Sequence, residues 1–443
     1  MNYPSRTQRN CLVKDVFKFN SERIILAGRV IGLVDIDPKG FVIQDDSGKI
    51  LVLSDLIPNI GDIVEVQVLV KGNELYINGQ PVILVKCEAD FYISKDSPNY
   101  KKLIIDLNLK EKLIKRTLIM AKIREFFVNK GFLDVDTPEL VNLPGMEPYL
   151  DIFKSKFEVN FDAERSFERD MYLITSPEYA MKKLLVAGFE KIFQLTKAFR
   201  NKETFSDLHN PEFTILEWYR AYASYEEIIQ DTEDLVKFLF QEFGEGKRTM
   251  NINGHEVRVL DKWKKLRVVD AFEQYAGINK DVFEDLEKFR EAVKRKGYNV
   301  NNETSFDDLF FLVFLNEIEG KLGLDVPVIL CDYPLSMAAL SKQCANDVKY
   351  AERYEAYIGG VELCNGFTEL NDASEQKKRL EAERIERINL KKAEYAVDAS
   401  FIEALELGMP PSGGTALGVD RLIMLLVGAK SIEEVLFFPF KDL

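Results

Sequence analysis

The chain has 443 residues, of which 46% are hydrophobic and 30% charged, and its net charge is −14. That length exceeds one ordinary domain and suits two or three, with the composition of a globular protein. The acidic balance weighs against a protein built around tight phosphate-backbone binding, which needs a basic surface. No apolar run reaches the length of about eighteen residues needed for a membrane-spanning helix. The N-terminus has no apolar signal core. Cys11, Cys87, Cys331, Cys344 and Cys364 have no paired spacing. This argues against a disulfide framework or a zinc site and points to a reducing, cytoplasmic setting.

Residues 22–88 read as short strands. The apolar run 24–34 comes first, then 41–44 and 50–53 flank a turn at 45–49, and 63–70, 75–77 and 82–85 follow between Gly/Asn turns. Such a series predicts a small all-β barrel over 1–95, with an OB-fold as its best version. Eleven Lys/Arg against twelve Asp/Glu in 1–95 leave it without an evident cationic groove. A linker over 90–107 leads to a helix over 109–130. Leu109, Leu113, Met120, Ile123 and Phe127 recur there at helical spacing, and Gly131 ends it. Strands and helices then interleave through 96–443, a second domain of α+β type. A helix is predicted over 225–243. The stretch 245–340 carries no readable chemical motif and looks like an insertion, and 372–392 reads as a charged, solvated surface helix.

Three segments carry chemistry. Residues 191–200 alternate like a strand and end on Arg200. Residues 209–219 form a second strand bearing Glu212, Glu217 and Tyr219. A hairpin with carboxylates and an arginine must solvate them or enclose a ligand with cationic and anionic parts; an arginine fork suits a carboxylate or phosphate. Around 361–370, Glu362 and Glu369 lie near Asn365, with Glu355 seven residues before Glu362. Carboxylates this dense repel one another unless a cation such as Mg²⁺ sits among them. The Gly-rich run 413–418 permits close backbone approach before Asp420 and Arg421 open an apolar helix.

In this order the segments resemble the signature motifs of class II aminoacyl-tRNA synthetases. Pro138, in Gly-Phe-Leu-Asp-Val-Asp-Thr-Pro (131–138), matches the first motif, at the dimer interface. Phe-Arg-Asn (199–201) with His-Asn-Pro-Glu-Phe (209–213) matches the second, and Gly-Val-Asp-Arg (418–421) the third. The resemblance covers about 109–443 and implies an antiparallel sheet flanked by helices. Its details point to the lysine branch. Within that branch, Thr-Ser-Pro-Glu-Tyr (175–179), Leu-Glu-Trp-Tyr-Arg (216–220) and Ala416 resemble the elongation factor P–(R)-β-lysine ligase family more than lysyl-tRNA synthetases, which usually carry glycine at the position of Ala416. Two features depart from the ligases: the N-terminal barrel, and a second-motif loop one residue longer, with Glu203 displaced by Lys202.

The resemblance implies ATP and Mg²⁺ as cofactors and a homodimer. It implies that Arg200 grips the α-phosphate and the amino-acid carboxylate, that Phe213 stacks on adenine and that Arg421 holds the far phosphates. Asn201, Glu203, Asn210, Glu362, Leu363 and Gly418 join them at the nucleotide, and Glu355 and Glu362 bind the metal. Ser176, Pro177, Glu178, Asn365, Phe367 and Ala416 line the amino-acid pocket, with Glu217, Tyr219 and Glu369 around the distal ammonium. The implied reaction is activation of lysine or β-lysine as an aminoacyl-adenylate and its transfer to a protein lysine of an elongation factor P-like acceptor. The alternatives are a lysyl-tRNA synthetase charging tRNA and a non-catalytic, synthetase-like binding protein. His209 is expected to brace the second-motif loop and Cys364 to be a small buried residue.

Overall fold

A computed structural model describes residues 6–19, 23–35, 37–160, 166–203 and 206–443; residues 204 and 205 of the second-motif loop lie outside it. The chain forms two compact units, 1–111 with 437–443, and 112–436.

The first unit is built on β1 (Ile24–Val34), β2 (Gly40–Gln44), β3 (Lys49–Leu53), β4 (Ile63–Lys71), β5 (Glu74–Ile77) and β6 (Val82–Val85). The order β1-β2-β3-β5-β4, closed by antiparallel pairing of β1 with β4, makes an OB-like five-stranded barrel, with β6 added against β4. Alternation explains the closure. Val64, Val66 and Val68 of β4 point inward with Leu26, Val30, Phe41, Ile43 and Val52, while Glu65 and Gln67 face away. Outside, Leu33 of β1 and Leu51 of β3 are exposed aliphatics.

Helix α1 (Asn99–Lys102) precedes the long α2 (Leu107–Asn129). In chain order there follow β7 (Leu133–Asp134), β8 (Leu140–Val141), β9 (Lys154–Asn160), β10 (Ser166–Leu173), α3 (Glu178–Val186), β11 (Lys191–Phe199), β12 (Glu212–Ala221) and α4 (Tyr225–Phe243). Next come β13 (Met250–Ile252), β14 (His255–Val257), β15 (Lys264–Arg267), α5 (Val268–Ala276), α6 (Lys280–Phe283), α7 (Leu286–Arg295), α8 (Phe306–Val313), β16 (Val328–Pro334), β17 (Tyr350–Ile358) and β18 (Val361–Thr368). Helices α9 (Ala373–Asn389) and α10 (Ala399–Gly408), strand β19 (Ser412–Gly418) and helix α11 (Val419–Leu426) complete the unit.

Eight strands form one sheet in the order β15-β16-β17-β18-β19-β12-β11-β7, antiparallel except for its two edge pairs. It is the α+β arrangement expected from the motifs. One face carries Leu216, Trp218, Cys364 and Leu417 and is covered by Ile228, Leu235 and Leu239 of α4 and Leu422 and Ile423 of α11. The charged run 373–389 departs from the expectation of a solvated helix. Leu380 and Arg387 of α9 are 0% and 1% exposed. Their spacing of seven puts them on one helix face, and Leu380 packs with Met181 and Leu185 of α3 and Phe401 of α10. Within 245–340, β15 and β16 extend the main sheet, and α5, α7 and α8 enclose an aromatic cluster of Phe272, Phe283, Phe289 and Phe310 against it.

Candidate active site

Strand register assembles the site. Across β11, β12, β19, β18 and β17, the residues Gln194, Glu217, Ala416, Asn365 and Glu355 are direct cross-strand neighbours. Two residues along, Tyr219, Gly414, Phe367 and Arg353 form a parallel row. Cross-strand neighbours share a face, so β12, β19, β18 and β17 together wall a cavity of about 990 Å³, while Gln194 of β11 is buried against Thr137. Gly414 is needed there: a Cβ at this position would lie 2.3 Å from the Tyr219 ring and 2.5 Å from Glu369 Oε1.

At one end of the cavity Arg200 closes β11. Its guanidinium lies over the Phe213 ring, 5.1 Å from the centroid, and 3.5 Å from Glu203 Oε1. Its Nε is buried with no hydrogen-bond partner among the described residues, a donor left for a ligand. Arg421, in the first turn of α11, donates to the Glu362 carboxylate at 3.2 Å and stands 3.0 Å from His209 Nε2, while His209 Nδ1 meets Ser206 Oγ at 2.7 Å. His209 thus braces the loop, as expected. Asp420 serves the scaffold: it accepts from the Thr214 amide and from Arg116 of α2, which also donates to the Thr214 hydroxyl.

At the other end three carboxylates converge. Glu217 is 0% exposed and accepts from Ser176 Oγ at 2.6 Å and the Tyr219 hydroxyl at 2.8 Å. Burial, then the charge of Glu178, pushes its carboxyl up to about 8. Glu178 opens α3 and accepts from Lys182 at 2.6 Å. Glu369 is 1% exposed and lies 2.5 Å from the same Lys182 ammonium. Burial holds Glu369 at about 8 despite that partner.

Glu355 accepts from Arg353 at 2.8 Å and from the Tyr357 hydroxyl at 2.6 Å, and burial raises its carboxyl. Among the described residues no group of three or more His, Cys, Asp or Glu side chains is arranged to hold a metal by itself. Glu355 and Glu362, both on the cavity wall, suit instead a Mg²⁺ held mainly by phosphate oxygens and water, which takes only one or two protein carboxylates.

Of the residues singled out from the sequence, Arg200, Glu203, Asn210, Phe213, Glu362, Leu363, Gly418, Arg421, Ser176, Pro177, Glu178, Glu217, Tyr219, Asn365, Phe367, Ala416 and Glu355 line the cavity. Two do not. Asn201 turns away, its backbone paired with Asp151 and its amide reaching the Ile152 carbonyl. Glu369 lies behind the wall against Lys182, because a buried ammonium requires its counter-ion. Cys364 is buried at 2%, a small apolar residue. Unanticipated wall residues are Arg353, whose Nε reaches Asn365 Oδ1 at 3.3 Å, Glu147, which accepts from Thr175, and Glu383 of α9, whose carboxyl burial pushes up to about 8. Arg387 of α9 donates to the Glu147 and Leu150 carbonyls and so pins the rim loop. Lys182 carried a legible signal, four residues after Glu178 on one helix face; for Arg353 and Glu383 the signal was absent.

Comparison with known proteins agrees with this geometry. The family model for class II tRNA synthetases (D, K and N) matches residues 98–442. A lysine–tRNA ligase of Clostridium botulinum (strain Loch Maree / Type A3) is 35% identical over 346 residues, 77% of this chain and 66% of that protein. One from Clostridium novyi (strain NT) is 36% identical over 347 residues, 77% and 65% respectively, and one from Magnetococcus marinus is 35% identical over 345 residues, 77% and 66%. The chain thus spans just under two thirds of the length of these relatives. On the match over 98–442, the chain belongs to the class II tRNA synthetases (D, K and N), in the lysine branch.

Proposed function

We propose that the protein activates lysine, or its β-isomer, with ATP. The observation that carries this is the pairing of two opposite ends in one cavity: Arg200 with an unpartnered buried donor at one, and the buried Glu217–Tyr219 pair beside Glu178 at the other. A diamino acid has the matching ends. Its carboxylate lies toward Arg200, one ammonium meets Glu178 and the other meets Glu217 and Tyr219. Phe213 stacks on the adenine of ATP, Arg200 reaches the α-phosphate as well as the amino-acid carboxylate, and Arg421 faces the outer phosphates. Glu355 and Glu362 would hold a Mg²⁺, which would supply neutralisation of charge on the phosphate oxygens. A carboxylate oxygen of lysine then attacks the α-phosphorus in line. The new P–O bond forms as the bond to the β-phosphate oxygen breaks, and pyrophosphate leaves. No protein nucleophile is required; the chain contributes positioning and fixed charge.

For the second step we infer an amine of a protein lysine, on an elongation factor P-like acceptor in the cytoplasm. The amine nitrogen attacks the activated carbonyl, AMP leaves with the electrons of the broken C–O bond, and the nitrogen gives up a proton. The electrostatics of the cavity favour this acceptor. Asp307 and Glu386 stand on its wall, carboxylates that would attract a cationic peptide. A second reading, transfer to tRNA, is favoured by the names of the relatives and by the presence of an OB-like barrel. ATP–pyrophosphate exchange with lysine isomers, leucine and aspartate tests the first step; equal rates with leucine would sink the pocket assignment. Radiolabelled lysine incubated with total tRNA and with elongation factor P tests the second. Salt-sensitive tRNA binding with acid-precipitable aminoacyl-tRNA would reverse the choice of acceptor.

A further inference from the structure

A pocket for a cationic substrate is an odd place for a buried lysine. Yet Lys182 is 1% exposed, 2.6 Å from Glu178 Oε1 and 2.5 Å from Glu369 Oε2, with its ammonium 5.2 Å from the centre of the Phe367 ring. It rises one turn after Glu178 on α3 and reaches across to the segment that follows β18, so a single side chain clamps carboxylates from two elements. Phe367 and Glu178 both line the cavity, while Glu369 stands behind Gly414, against which its Oε1 is packed. Without a fixed cation, Glu178, Glu217 and Glu369 would repel one another, and the cheapest response of such a cluster is to take up protons or spread apart.

We propose that Lys182 is a positioning residue that clamps Glu178 to Glu369 and sets the charge of the amino-acid pocket to match a substrate with two ammonium groups. This rests on the lysine-activation reading above. The charge count is direct. With substrate bound and the carboxylates Glu178, Glu217 and Glu369 all ionised, the one ammonium of Lys182 leaves two negative charges, and a diamino acid brings two positive ones. A monoamino acid leaves one buried charge uncompensated, a costly state. The lysine therefore does more than satisfy a counter-ion. It subtracts one charge from a site that would otherwise demand three cations, and it holds Glu178 at a fixed distance from the Glu217–Tyr219 end.

The test is steady-state pyrophosphate exchange with Lys182→Met and Lys182→Arg, reading KM for lysine and KM for ATP separately. In Lys182→Met the lysine KM is expected to rise about thirty-fold or more, the effect of truncating one partner of a buried charge pair, while the ATP KM holds. Lys182→Arg keeps the charge and is expected to recover most of that loss. Should Lys182→Met fail to fold, Lys182→Gln takes its place, with the same lysine-only rise in KM expected. Lysine and ATP KM rising together, or both variants keeping the wild-type lysine KM, would overturn the assignment. A wild-type protein inactive with every lysine isomer would instead overturn the activation reading on which it rests.

Discussion

Glu217 is the side chain through which pH should act most clearly. It is fully buried on β12, hydrogen-bonded to Ser176 and Tyr219, and held at about 8 rather than 4.5 by burial and by Glu178. In the ligand-free protein below that pH it is mostly protonated. A substrate ammonium placed beside it favours the carboxylate, so lysine binding is expected to release a proton. The lysine KM should then fall by up to about tenfold per pH unit between about pH 6 and pH 8 and level off above. Glu217→Gln keeps the shape but removes both charge and titration. Its lysine KM should rise about thirty-fold or more, since truncating one partner of a buried charge pair costs about 2–5 kcal/mol. Its pH slope should flatten, leaving the part contributed by Glu369, which burial also holds at about 8. The same displacement acts on stability with a definite sign. A carboxyl raised from 4.5 to about 8 in the fold stabilises fully below 4.5, and that stabilisation is lost as pH rises through 8. At about 1.4 kcal/mol per pH unit, this amounts to about 5 kcal/mol. The Gln variant should therefore lose less stability than the wild type between acidic and alkaline pH in urea unfolding without ligand. Lysine-dependent pyrophosphate exchange at saturating ATP across this range is the assay. A wild-type lysine KM that does not change from about pH 6 to pH 8, or a variant with the wild-type KM, refutes the reasoning.

Three further outcomes follow from the same geometry. Gly414→Ala places a methyl group against the Tyr219 ring and Glu369, so lysine activation should be lost while ATP still protects the protein against thermal unfolding. Ala416→Gly, between Glu217 and Asn365 in the sheet, should shift the ratio of α- to β-lysine activation toward α-lysine. The change should be worth about 1–3 kcal/mol, as for one methyl-sized difference in a pocket; an unchanged ratio would show that this position does not set specificity. Ile114 and Leu118 lie one turn apart on α2 and are 51% and 52% exposed, and the first-motif resemblance around Pro138 implies a dimer. Sedimentation should give twice the chain mass at micromolar concentration, and Leu118→Asp should shift it toward the monomer.

Much of this was legible in local pattern. Alternation in 63–68 marks a barrel strand, and helical spacing in 109–130 marks α2, found at Leu107–Asn129. The order of the motifs marks the sheet, because each motif is a short stretch whose residues stay together in any fold. Asn201 illustrates the limit within a motif, since it sits beside Arg200 in sequence yet turns to the segment at 151–152.

What the sequence by itself determined, then, was the set of elements and the chemical types available: a barrel, an antiparallel sheet, and carboxylates and arginines on particular strands. Strand period and helix period are properties of neighbouring residues, so they survive without a tertiary structure. Only the tertiary structure decided which of those groups face one another. Glu217, Asn365 and Glu355 lie on three different strands and become neighbours only through register across β12, β19, β18 and β17. Lys182 meets Glu369 across 187 positions of chain, and the charged helix α9 turns Leu380 and Arg387 inward because α3, α10 and the rim loop offer them partners. Charge and burial at such sites depend on the distances between elements, and those distances are set by packing of the whole unit rather than by any one segment.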